Sequence, residues 1–172
     1  MKYLFLLSVL TSLGIADITD IKSFEADFTQ KITDDKKKVL KYNGHLKASK
    51  PAYALWDYKS PVTKSIYIQF DKITIIEPEL EQVIIKYIDE DFDFFSMIKN
   101  SKKIDDSTYK ARFKQTDFMI KVKDDKIVSI SYMDDLDNKV VIYFKNVVQN
   151  KEISKDDFSP TIPLEYDILN NY

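Results

Sequence analysis

The sequence predicts a mainly β protein built on one large antiparallel sheet, and three observations carry that prediction. Apolar and polar residues alternate with period two along most of the chain after residue 22, the pattern of strands with one buried face. The alternating segments recur roughly every ten residues with short turn signals between them, the spacing of a meander and not of βαβ units. Only two stretches break the alternation, so little helix is left to cover the sheet. A sheet of more than eight strands has to curl, close on itself or split into two layers.

The elements follow in order. Met1-Lys2-Tyr3, the apolar run "LFLLSVLTSL" and the small residues Gly14 and Ala16 read as a signal peptide, residues 1–16, cut after Ala16. The apolar run is well below the roughly 20 residues of a spanning helix, which argues against a membrane anchor. Residues 17–172 are then expected to form a single domain in the periplasm. Ile18 and Ile21 in "DITDIKSF" are three apart, enough for about one helical turn. Phe24, Ala26, Phe28, Gln30 and Ile32 share one face of a first strand, and Leu40, Tyr42, Gly44, Leu46 and Ala48 one face of a second. Asp34-Asp35-Lys36-Lys37-Lys38 between them reads as a solvated hairpin tip. Further strands are expected over 53–58, 64–70, 72–76, 81–88, 108–115, 117–123, 127–133 and 139–148. "DFDFFSMIKNSKK", residues 91–103, spaces its apolar residues near helical period and reads as a short amphipathic helix with a loop.

Composition excludes several functions. Lysines and carboxylates are interspersed at a net charge of −2, which gives no basic face for nucleic acid. With no cysteine there is no disulfide, no thiol nucleophile, no thiolate metal site and no lipid-modified N-terminal cysteine. Asp89-Glu90-Asp91 and Asp134-Asp135-Leu136-Asp137 lack the glycine and terminal Glu of an EF-hand loop and read as solvated turns, so no metal and no cofactor is expected. The single histidine, His45, faces opposite to Leu46; an esterase-like hydrolase would have to rest on it, and no G-x-S-x-G or H-E-x-x-H accompanies it.

The positive signal is apolar. In "KASKPAYALWDYKSP" Pro51 cannot donate to a sheet ladder and belongs at a strand start. After it Ala54, Trp56 and Tyr58 point one way, Tyr53 and Leu55 the other. Eleven Tyr and eleven Phe are many large side chains for one small core. They suit either a sandwich core or a curved sheet wrapped around an apolar cavity.

"SFEADFTQKITD" (23–34), "YNGHLKASKPAYALWDYKSP" (42–61), "PELEQVIIKYI" (78–88) and "FSPTIP" (158–163) resemble, in the same order, the landmarks of the LolA family of periplasmic lipoprotein carriers. The resemblance implies an incomplete, strongly curved half-barrel, a monomer, with short helices as a lid over an apolar cavity. It implies cargo of acylated lipoproteins, taken from an inner-membrane ABC-type releasing complex and passed to an outer-membrane acceptor. On this pattern the cavity wall falls to Leu46, Ala54, Trp56, Tyr58, Ile66, Ile68, Phe113, Phe118 and Ile120. The lid falls to Ile18, Ile21, Phe92, Phe94, Phe95, Met97 and Ile98. The residue resembling the family's lid-tying arginine is Lys50, a compact charge without the planar fork. Two further departures are an N-terminal helix cut to about one turn and a hairpin at "IQFDKIT" without glycine. The alternative readings are a binder of another lipid or amphiphile, and the His45 hydrolase.

Overall fold

The computed structural model describes residues 18–87 and 94–171. Its strands are β1 Ser23–Thr33, β2 Val39–Ser49, β3 Tyr53–Ser60, β4 Lys64–Gln69, β5 Lys72–Glu77, β6 Gln82–Tyr87, β7 Lys102–Asp105, β8 Thr108–Phe113, β9 Thr116–Lys123, β10 Lys126–Met133, β11 Lys139–Gln149 and β12 Asp167–Asn171. The α-helix of the described residues is α1, Phe94–Lys99, and short 3-10 turns occupy Ile18–Asp20, Pro78–Leu80 and Lys155–Phe158. All strands join one 12-stranded sheet in the order β12-β6-β5-β4-β3-β2-β1-β11-β10-β9-β8-β7. Two meanders thus meet where β1 pairs with β11, and the sheet stays open, with β12 and β7 as its edges.

Two features depart from the sequence expectation. The sheet is not wholly antiparallel: β12 lies parallel to β6, with Ile168 opposite Val83. A long connection brings the chain to the end of the sheet where β6 begins, and the Asp167 N–H donates to the Glu81 carbonyl at 2.9 Å. "DILNN" is too short for alternation to announce a strand. Residues 102–105, read as loop, form β7 at the other edge, where Lys102 and Lys103 place charge on an exposed edge strand.

Register follows the side-chain pattern. Phe24 pairs with Ala48, Ala26 with Leu46 and Phe28 with Gly44 across β1 and β2, so the two apolar sets share one face. On the other flank Phe28 lies opposite Phe144 and Gln30 opposite Ile142. Near Asn146, whose φ is 54°, β11 bulges, and this turns Val147 to the buried face in place of an even-numbered neighbour. The turns between strands are held by carboxylates. Asp34 accepts the Lys38 N–H at 2.8 Å, and Asp134 accepts the N–H groups of Leu136 and Asn138, each at 2.9 Å. These bonds, with the Asn138 side chain foremost, hold the Asp134 carboxyl below its ordinary range. The acidic run 134–137 is therefore a structural turn; the run 89–91 lies outside the described residues.

Apolar side chains from β1–β4 and β8–β11 form one core cluster on the inner face of the sheet, together with Ile18, Ile21 and the buried side of α1. A single cluster drawn from strands so far apart in the sheet order requires the sheet to curl around its own face. Gly44 leaves no room for a side chain. A Cβ there would meet the Asp57 carbonyl and lie 2.6 Å and 2.8 Å from two atoms of the Phe28 ring. That ring fills the space instead, edge-on to Trp56 at 5.2 Å and Tyr58 at 5.0 Å between centroids.

Candidate functional site: the covered inner face

Strand alternation decides what the inner face offers. On β3, Ala54, Trp56 and Tyr58 point inward, and they lie opposite Ile68, Ile66 and Lys64 of β4. On β9 and β8, Phe118 and Ile120 face inward opposite Ala111 and Tyr109. Over this surface lies α1, with Phe95, Met97 and Ile98 buried, and beside it the N-terminal turn with Ile18 and Ile21 buried. The Phe94 ring stands 5.6 Å from Phe24 and 5.4 Å from Phe95.

Leu46, Ala54, Trp56, Ile68 and Phe94, all expected from sequence, border one apolar cleft between β2–β4 and α1. Ala48, Ala52 and Tyr53 complete its wall. Ala48 carried a usable signal, since it shares a face with Leu46. Ala52 and Tyr53 did not: Ala52 precedes the strand, and alternation puts Tyr53 on the face opposite Trp56. The free space is about 30 Å³, room for little more than a water or two. An apolar cavity under a lid was expected; the structure has a closed, mostly filled face.

The other expected wall residues lie elsewhere on this face. Phe113, Phe118 and Ile120 belong to the packed side under β8 and β9, and the Phe118 ring lies 4.9 Å from Tyr132. Ile66 is partly buried against the core. Tyr58 sits toward the hairpin tips, where its hydroxyl donates to Gln30 Oε1 at 3.0 Å. Burial, reinforced by Tyr132 and Tyr42, pushes the Tyr58 hydroxyl up to about 12. Phe92 lies outside the described residues.

Lys50 closes the arrangement at the end of β2. Its backbone N–H donates to the Lys22 carbonyl at 2.9 Å, tying the strand end to the N-terminal segment. Its Nζ stands 5.9 Å from the centroid of the Phe95 ring, within cation–π range. The contact is to an aromatic ring of α1.

Over β1 and β2 the outer face is polar and holds His45. Its Nδ1 lies 2.9 Å from Asp27 Oδ1 and its Nε2 3.1 Å from Glu25 Oε1, while the Asn146 side chain donates to Asp27 Oδ2 at 2.7 Å. His45 first, and Asn146 second, lower the Asp27 carboxyl below its ordinary value. A triad histidine directs one ring nitrogen at a hydroxyl nucleophile. Here both nitrogens meet carboxylates, on the side of the sheet away from the cleft.

An open sheet with one apolar face covered by short helical segments, and a histidine–carboxylate cluster on the opposite face, is the class of fold the structure defines. The sequence comparisons give that class a family. Residues 19–109 match the family described as outer membrane lipoprotein carrier protein LolA. An outer-membrane lipoprotein carrier protein of Campylobacter jejuni is 36% identical over 150 residues, 87% of this chain and 88% of the relative. One of Helicobacter pylori is 34% identical over 141 residues, 82% of this chain and 76% of the relative. The chain belongs to the LolA family. Among solved structures, an uncharacterised conserved protein of Thermus thermophilus superposes with a TM-score of 0.56 at 9% identity, covering 91% of this chain and 95% of its own. A LolA superfamily protein of Nitrosomonas europaea gives 0.51, also at 9% identity, over 85% and 96%. These two share the fold.

Proposed function

We propose that this protein is a non-enzymatic periplasmic carrier that binds the acyl chains of lipoproteins on its inner face and delivers them to the outer membrane. The observation that carries the reading is the apolar cleft bordered by Trp56, Ile68 and Phe94 beneath a six-residue helix. Leaving an acyl chain in water costs about 0.8 kcal/mol per CH₂, on the order of 10 kcal/mol for a long chain, so transit between membranes requires cover. Since the cleft is filled in the structure, α1 and the Ile18–Ile21 turn act as a lid that swings away as cargo enters. Both are short and held largely by side chains, which suits movement on binding. Lys50 latches the lid through Phe95. Residues 1–16 direct export and are removed after Ala16. An inner-membrane ABC-type complex loads the carrier and an outer-membrane acceptor unloads it.

Native mass spectrometry of the protein purified from its own periplasm tests this reading. An acylated lipoprotein bound in one-to-one ratio is the expected result. Free lipid in that position would turn the reading to a general amphiphile binder. Replacing Phe95 and Ile98 by Ser should release the cargo while the β-sheet circular dichroism persists, and full retention would show that α1 is not the lid.

A further inference from the structure

The "FSPTIP" landmark brings its phenylalanine onto Tyr53, a residue of the cleft wall. Residues 150–166 cross from the end of β11 to the start of β12, and their anchors lie on the outer face. The Ser23 hydroxyl donates to the Lys151 carbonyl, and Lys47 Nζ pairs with Asp157 Oδ2 at 3.4 Å. The 3-10 turn Lys155–Phe158 is capped by Ser154 and packs on β3 and β4. It delivers Phe158, 0% exposed, onto Tyr53, with ring centroids 5.5 Å apart and planes at 27°. On its other side the Tyr53 ring meets Phe70 at 5.2 Å. Tyr53 is also a wall residue of the cleft, beside Ala52, Ala54 and Trp56.

One residue therefore belongs to two structures: Tyr53 borders the cleft, and its ring packs on the C-terminal strap. We propose that Phe158 is a positioning residue for the ligand site: the strap pins Tyr53 and thereby sets the width of the cleft mouth through which an alkyl chain enters. The inference rests on the alkyl-binding reading above and adds a second control, separate from the lid. The lid covers the inner face at α1; the strap holds the β3 wall from behind.

Trp56, the single tryptophan, borders the same cleft and reports on it without any ligand. The experiment compares the unaltered protein, Phe158→Ala, Phe158→Leu, Tyr53→Ala and the Tyr53→Ala/Phe158→Ala double variant. Two quantities are read: acrylamide quenching of Trp56 in the ligand-free protein, and the release rate of a pyrene-labelled hexadecanoate. Phe158→Ala should raise quenching and speed release by about threefold or more, the low end of couplings between touching side chains. Both effects should vanish in the Tyr53→Ala background. Phe158→Leu fills the space without the stacked ring and should fall between, which keeps the test valid if the alanine variant does not fold. Unchanged quenching and release in a folded Phe158→Leu protein would overturn the inference. So would equal changes with and without Tyr53. If the unaltered protein takes up no pyrene probe while the quenching still depends on Phe158 through Tyr53, the strap's hold on the cleft stands and the carrier reading falls.

Discussion

The two halves of the inner face are written in the same alternating code and packed very differently. Under β8–β11, Ile120 and Ile127 are 0% exposed and Val140 2%, closed in by neighbours on every side. On β4 every residue is only partly buried, and Ile66 and Ile68 remain at the border of the core. The difference comes from what lies above the strands. On the β8 side α1 packs on the strand and on the N-terminal turn, whereas on the β3–β4 side Phe94 of α1 borders a cleft. A carrier needs both: one half to hold the fold while the other rearranges around cargo.

The largest expected effect sets the halves directly against each other. Ile120→Ala should cost about 3 kcal/mol in urea unfolding, the usual loss for a fully buried isoleucine. Ile68→Ala, where the side chain is only partly buried, should cost less, about 1 kcal/mol. Binding should invert the order, with Ile68→Ala weakening alkyl-probe affinity more than Ile120→Ala. Equal destabilisation by the two substitutions would show that the β4 side is as tightly packed as the β9 side.

Gly44→Ala probes the seam between the halves. Its new methyl group would collide with the Asp57 backbone and the Phe28 ring, and backbone cannot yield as a side-chain tip can. About 2 kcal/mol of destabilisation is expected, as for other overpacked sites. Shrinking the ring as well, with Phe28→Leu, should recover only the part of the loss that comes from the ring. Recovery to the level of Phe28→Leu alone would show that the Asp57 carbonyl offers no obstacle.

Much of this contrast was not legible in the sequence. Period two gave the strands and the shared face of Phe24, Ala26, Phe28, Leu46 and Ala48, because β1 and β2 are joined by a short turn that fixes register. It put Ala54, Trp56 and Tyr58 on one face of β3, and the family resemblance made that face the inner one. It could not show which inward residues border the cleft, since that depends on where a six-residue helix lands, a long-range contact. Hence Phe118 and Ile120, equivalent to Ile68 by pattern, turned out to be packed core. Nor could it find β12, whose pairing is fixed by the strap and a bond to Glu81 and not by its own residues. Phe158 showed only as part of a motif; its partner Tyr53 seemed merely to face the opposite way from Trp56.

Tyr58 extends the comparison to the hairpin-tip end, where a hydroxyl is buried among rings. In the folded protein it ionises near 12, above the value of about 10 expected in the unfolded chain. Below pH 10 both states are neutral and the full stability is present. Between pH 10 and 12 the unfolded chain ionises first, so stability is lost on the order of 2 kcal/mol as pH rises. Tyr58→Phe should flatten that alkaline decline, leaving the part due to Tyr132 and Tyr67, whose hydroxyls burial also raises. An unchanged decline in chemical denaturation between pH 10 and 12 would mean that Tyr58 is as accessible as the surface tyrosines.

The smallest effect concerns the proposed latch, Lys50 over Phe95, where stability and function should separate. Lys50→Met keeps the length of the side chain and removes only its charge over the Phe95 ring, worth about 0.5–1 kcal/mol at an exposed site. Global unfolding should therefore hardly change. Lid opening, in contrast, breaks only the few contacts of α1, and the same fraction of a kcal/mol is a large share of that local free energy. Amide exchange in residues 95–99 should accelerate severalfold in Lys50→Met while exchange in β9 and β10 stays as it was. Lys50→Arg restores a charge and adds a flat face able to stack on the ring, so it should slow that exchange below the unaltered protein. If both variants exchange at the original rate, α1 is held by its apolar contacts alone, and the two halves of the inner face differ in packing without being separated by a latch.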